Sequence, residues 1–265
     1  MVPRNDFRIV PWSAPRVICN HSAMTNLVNL DRVAHRNLRV VEEQALSACK
    51  DITMCAVSLN EIARLVVEYP IVFTRNAEAG DFICVTLFGI SPDKNLYWRD
   101  GRWDSVSVPH NVGRQPFFVA RADQPGAEQG RQELITCIDL DNPGVQAING
   151  EALFDDAGEY TPYLSHKMKL LAELIDGERR SQAFAKKAQD LGLIHPIQLE
   201  IKVPGNETRK ISGLYSIDER QLRALDAPAV AELNASGYLH AMYAMISSLG
   251  HLQILARRAV TAFGK

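Results

Sequence analysis

Short apolar runs bounded by turn residues dominate the first half of the chain. YPIVFT, DFICVTLFGI, QPFFVARA and ELITCIDL each read as a strand, because β-branched and aromatic residues fill spans too short for an ordinary helix. LRVVEE adds a short strand near Leu38 to Val41. SLNEIARLVVEYP has helical spacing instead. Ser58 or Asn60 caps it, Ile62, Leu65 and Val66 form its apolar face, and Pro70 ends it. Asp100-Gly101 separates Tyr97-Trp98-Arg99 from Arg102-Trp103-Asp104. That dipeptide suits a type I′ turn, so a hairpin is predicted with Arg99 opposite Arg102 and Trp98 opposite Trp103.

The pattern changes after FDDAGEYTPY. Leu164, Met168, Leu171 and Ile175 mark one helix face, and Gly177 is expected to weaken or end that helix. Phe184, Ala188 and Leu191 mark a second helix that Gly192 stops. IHPIQLEIKV and RKISGLYSI predict a strand pair around Pro204-Gly205. Ser216 with Glu219 three positions later matches a capping box. SGYLHAMYAMISSLGHLQILARRAV predicts a long C-terminal helix, with close packing or a bend at Gly250. Met242, Tyr243, Met245 and Ile246 on it offer a homodimer face or a face packed on the chain's own sheet. Strands come first and helices later, with no repeating βα unit. The expected class is therefore α+β, a mixed or antiparallel sheet with several packed helices. Residues 1–26 read as an N-terminal extension and 27–265 as one domain; any internal boundary falls near 141–161.

The chain has 265 residues, enough to bury a core without metals or disulfides. Lys plus Arg total 29 against 31 for Asp plus Glu. That balance lacks the basic surplus of a nucleic-acid binder, so no nucleic-acid partner is expected. The pairs Arg179-Arg180, Lys186-Lys187 and Arg257-Arg258 read as solvated helix faces. Five cysteines without CxxC spacing fit a reducing compartment. The N-terminal residues contain no apolar stretch of signal-peptide type, and no apolar run reaches the length of a membrane span. A cytoplasmic location is expected.

Familiar catalytic patterns do not appear. The seven histidines form no HxH or HExxH, and the acidic phrase at Asp155 lacks calcium-loop spacing, so no metal is expected. GxGxxG, GxxxxGK[ST] and GxSxG are also missing, and no cofactor is expected. The candidate ligand-binding set is Trp98, Arg99, Arg102, Trp103, His110, Arg114 and Phe117, with Phe118 beside it. Guanidinium groups offer bidentate hydrogen bonds to a carboxylate, and adjacent rings stack or bury apolar groups. The bland alternative places Trp103 and Phe117 in the core and pairs Arg114 with an acid such as Asp139. Glu61 is either a structural carboxylate or an acid–base group that lacks an evident partner. Asp139 and Asp155 complete the acidic candidates.

EYPIVF, NLYWRDGRW, VGRQPFF, LFDDAG, SGLYSIDERQL and GYLHAMYAMISSL, in that order, resemble the bacterial SapC family from about His35 to Leu255. Gln115 stands where an aromatic residue is usual in that family. The resemblance brings no catalytic residues with it. It implies an association with surface layers in one bacterial group. It also implies gene neighbourhoods shared with flavin-dependent halogenase-like proteins, cupin-like proteins and outer-membrane receptors. Three functions follow as expectations: an accessory protein that binds a protein or peptide, an enzyme acting on a peptide or small aromatic substrate, or a surface-layer structural protein.

Overall fold

The computed structural model describes residues 10–11, 26–76, 79–91, 94–122, 133–203 and 207–263. Most of the N-terminal extension, residues 123–132 and the turn expected at Pro204-Gly205 lie outside those residues.

The main sheet has five strands in the order Ile194–Val203, Glu207–Ile217, Ile71–Arg75, Phe82–Leu87, Met54–Ala56, and each neighbouring pair is antiparallel. Phe82–Leu87 is buried at five of its six positions, so both faces of this strand are covered. That is why its sequence is continuously apolar and does not alternate. A second antiparallel sheet runs Val10–Pro11, Phe117–Ala122, Glu133–Asp139, Leu27–Asn29. Arg39–Val40 lies between Val145–Gln146 and Glu151–Ala152 in a third, smaller sheet, so residues 141–161 pair back onto the early chain. Antiparallel sheets with packed helices give the α+β class expected. Among the described residues, no helix is long and apolar enough to cross a membrane.

One helix, Pro162–Asp190, serves two apolar cores. Thr161 caps it by accepting the Leu164 N–H, Pro162 occupies the first turn, and Gly192 follows its end at φ 67°. Leu164 and Leu171 join Val40, Phe117, Ile138 and Leu153 in the smaller core. Phe184, Ala185 and Ala188 join the main core, where the Phe184 ring lies 5.9 Å from Phe73 on the sheet. Full burial of each such Leu or Phe is worth roughly 1.5–3 kcal/mol.

Gly177 neither ends nor breaks this helix, contrary to the sequence expectation. It is buried where the helix crosses the Ser58 turn, and a Cβ there would stand 2.6 Å from the Ser58 Cβ. Ser181, one turn on, accepts the Leu59 N–H at 2.8 Å, which locks the same crossing. A second correction concerns Ser216. It is a strand residue with no exposed surface, and Asp218 is the cap, accepting the Arg220 and Gln221 N–H groups. The C-terminal helical run extends from Tyr238 to Phe263 and is interrupted at Leu249 and Gly250. Met242 and Met245 on it are buried in the main core, while Tyr243 is exposed.

Helix propensity favours alanine over glycine by about 1 kcal/mol, so Gly177→Ala would stabilise an unobstructed helix. Here the new methyl meets the Ser58 Cβ, which cannot swing away. The variant is expected to lose about 1–3 kcal/mol in urea unfolding. A stability gain would show that the crossing yields without strain.

Candidate functional site

The hairpin forms as its sequence demands. Asp100 has φ 51° and Gly101 φ 79°, the left-handed pair of a type I′ turn. Trp98 pairs with Trp103, and Arg99 with Arg102. The two tryptophans meet different surroundings. Trp103 is buried, donates its indole N–H to the Tyr69 hydroxyl at 2.9 Å and packs edge-on to Phe88 at 5.0 Å. Trp98 is half-buried, and Arg99 and Arg102 are exposed. Beyond the hairpin, Glu68 accepts the Val106 and Ser107 N–H groups, and the Tyr69 hydroxyl donates to the Ser107 carbonyl at 2.6 Å. Burial pushes the Glu68 carboxyl up, but these N–H donors and the Ser105 and Ser107 hydroxyls outweigh it, so it lies below the ordinary range. The hairpin is therefore anchored at its base and open at its tip.

A cleft of about 240 Å³ opens between the hairpin and the C-terminal helix His251–Phe263. Leu96, Trp98, Arg99 and Asp100 line one side, and Arg258, Thr261 and Ala262 the other, with Lys94 and Asn95 completing the wall. Arg258 stacks over the Tyr97 ring at 4.4 Å and donates to the Leu96 carbonyl at 3.2 Å. It also meets Asp104 Oδ2 at 3.2 Å, and Arg99 approaches the same oxygen at 3.5 Å.

The rest of the arginine-aromatic set lies elsewhere. Phe117 is fully buried in the smaller core. Arg114 is buried and donates to Asn111 Oδ1 at 3.1 Å and to the Phe117 carbonyl at 3.0 Å, with its guanidinium 4.1 Å from the Phe118 ring. No ion pair joins Arg114 to Asp139 among the described residues. His110 stands between two carboxylates, its Nδ1 3.5 Å from Glu61 Oε2 and its Nε2 3.8 Å from Glu173 Oε2. Glu61 has no exposed side-chain surface and is committed to the fold. It accepts the Ser58 N–H and the His110 backbone N–H, both at 2.9 Å, and Arg64 at 3.4 Å. Asp139 accepts the Asp141 N–H, and burial raises its carboxyl above the usual value. Asp155 is an exposed turn residue that accepts the Glu159 N–H. Neither Asp139 nor Asp155 is bonded to His110 or Glu61 among the described residues.

Two groups of residues were missed from the sequence. Arg258 was read as half of a solvated pair, although it lies three positions after the buried Leu255 and so beside the helix's inner face. Lys167 is 1% exposed, a burial that its place among Leu164, Met168 and Leu171 could have signalled. Its ammonium donates to Glu42 Oε1 at 2.7 Å and to the Gly113 carbonyl at 2.5 Å, while the Tyr163 hydroxyl donates to Glu42 Oε2 at 2.8 Å. Burial lowers the Lys167 pKa and the Glu42 charge opposes that shift; the Tyr163 phenol is raised by burial and by Glu42. Among the described residues, no three His, Cys, Asp or Glu side chains are grouped to hold a metal.

The SapC family model matches residues 30–255 of the chain. No curated protein and no solved structure matches it.

Glu42→Ala would leave the Lys167 ammonium buried with the Gly113 carbonyl as its remaining acceptor. A loss of about 3 kcal/mol is expected in denaturant unfolding, because a buried charge stripped of its partner is costly. Lys167→Met removes the charge as well and is expected to cost less. The reverse order would refute the pairing.

Asp139 titrates in the opposite sense to a salt-bridged acid. Its raised folded pKa means that the native state holds the proton in a window above 3.8 where the unfolded chain has released it. Stability from this group therefore falls as pH rises through that window. Asp139→Asn is expected to match the parent in acid and to melt at an equal or higher temperature at pH 7. A variant that weakens progressively from pH 4 to 7 would reverse the sign.

Proposed function

The chain belongs to the SapC family, and we propose that it is an accessory protein that binds a protein or peptide through the hairpin Trp98–Trp103 and the adjoining C-terminal helix. One observation carries this reading. The anchored hairpin leaves Arg99 and Arg102 exposed beside the half-buried Trp98, while Trp103, Arg114, Phe117, Glu61 and Asp139 are buried, His110 is half-buried and Asp155 lies in a separate exposed turn. A rigid turn that presents aromatic and guanidinium groups loses little entropy on binding, and tryptophan and arginine contribute strongly to interfaces. Five cysteines without CxxC spacing support a cytoplasmic place of action. The neighbourhoods implied by the family resemblance make a halogenase-like enzyme or an outer-membrane receptor the first partners to try.

The test is capture from the lysate of the source organism by the purified chain, beside Arg99→Ala/Arg102→Ala. Both side chains are exposed, so the variant is expected to unfold within about 0.5 kcal/mol of the parent per site. One partner protein should be recovered reproducibly and bind the folded variant about tenfold less well, a loss of roughly 1.4 kcal/mol. Equal capture by both chains would remove the hairpin from the binding surface.

A further inference from the structure

We infer that the cleft between the hairpin and the C-terminal helix is a carboxylate site, with Asp104 as its resident competitor in the free protein. This assignment rests on the hairpin face being a binding surface, and it names the chemistry that the surface takes.

The charges point that way. Arg99 and Arg258 line the cleft with one acid, Asp100, while Lys94 on its wall donates to the Ala262 carbonyl at 2.8 Å. Asp104 supplies a second negative charge, yet a single oxygen, Oδ2, meets both guanidinium groups, at 3.2 Å from Arg258 and 3.5 Å from Arg99. A guanidinium carries five N–H donors in one plane, suited to two parallel bonds with a carboxylate. Arg258 uses Nη1 for both the Leu96 carbonyl and Asp104, and Arg99 uses Nη1 for Asp104. Among the described residues, the Nε and Nη2 groups of both arginines have no protein acceptor. Donors therefore remain for a second carboxylate, or for one that replaces Asp104.

The site is also held in place before any ligand arrives. Arg258 cannot swing freely, because it stacks on Tyr97 and holds the Leu96 carbonyl. Arg99 stands on a strand fixed by the Asp100-Gly101 turn. Fixed donors spare the ligand part of the ordering cost. Trp98, Leu96 and Ala262 give the cleft an apolar side, which asks for an apolar or aromatic group next to the charge. At about 240 Å³ the volume is below the ~300 Å³ at which drug-sized sites begin. One terminal residue fits that space. The shared chemistry is thus a carboxylate beside an apolar side chain, as at the C-terminus of a peptide or in a free aromatic acid.

Calorimetric titration of the whole chain at low salt separates the two sources. The probes are N-acetyl-Gly-Gly-Phe as the free acid, the same peptide as its C-terminal amide, and indole-3-acetate. The acid is expected to bind at least about tenfold more tightly than the amide, since the lost charge-assisted bonds are worth roughly 1.4 kcal/mol or more. Arg99→Ala should weaken acid binding about tenfold, and added salt should weaken it further. Asp104→Asn should strengthen it severalfold, an effect that a purely structural ion pair would not produce. Thermal melts of both variants identify any loss of folding, and the salt series on the parent chain gives a test free of mutation. Binding of indole-3-acetate alone would support the site and assign it to free acids. Equal binding of acid and amide would overturn the carboxylate site and leave the hairpin as a peptide surface. No binding of any probe by the parent or by folded Asp104→Asn would overturn the site, and the capture experiment would then judge the hairpin face independently.

Discussion

The buried carboxylate of Glu61 constrains the fold around it. A charge without exposed surface must be given hydrogen bonds, or its desolvation costs several kcal/mol. Glu61 obtains them from the backbone at Ser58 and at His110, and so ties the turn that begins the helical segment to the start of the helix His110–Gly113. Two turns on, Glu68 takes the backbone N–H groups of Val106 and Ser107. Carboxylates from one short helical segment thus hold the chain from 106 to 110. The hairpin just before that stretch has its base fixed by the same contacts, and Trp103 adds an indole anchored on Tyr69. Without these bonds a two-stranded ribbon of this length would have little reason to keep one orientation.

The long helix carries that constraint across the molecule. It touches the Ser58 turn through Gly177 and Ser181, and the far side of the Glu61 assembly through Lys167 and the Gly113 carbonyl. Its N-terminal half fills the smaller core and its C-terminal half fills the main one. One rigid element therefore sets the spacing of two sheets. A packing error at Gly177 would move both cores relative to the 58–61 turn, so the absence of a side chain there matters more than its helix propensity.

Local features were legible in the sequence, and features that join distant segments were not. The hairpin could be read from Asp100-Gly101 because the turn's positive φ angles and the strand register lie within a few residues. Most strands could be read from their apolar runs for the same reason. Gly177 was misread because its local cost of about 1 kcal/mol is visible, whereas the Ser58 crossing that requires it lies more than a hundred positions away. Ser216 has the spacing of a capping box, but the strand continues past it and the first free side chain is that of Asp218. In the candidate site, adjacency in the chain grouped Trp98 through Phe117, while side-chain direction sent Trp103 and Phe117 into different cores. Arg258 lies 154 positions from Asp104, and no spacing rule links them.

What separates the cleft from the buried polar row is commitment. Glu61 spends its carboxylate on backbone donors, Arg114 spends its guanidinium on Asn111 and Phe117, and Lys167 spends its ammonium on Glu42 and Gly113. A ligand could engage those groups only by breaking bonds that hold the fold. Arg99 and Arg258 share one oxygen of a partly exposed aspartate and keep most of their donors in reserve. Binding there needs at most the release of Asp104, whose side chain is 42% exposed and whose charge water can take up. Arg99 and Arg258 thus keep donors that the buried arginine and lysine have already used, and this difference in commitment supports the proposed carboxylate site at the hairpin face.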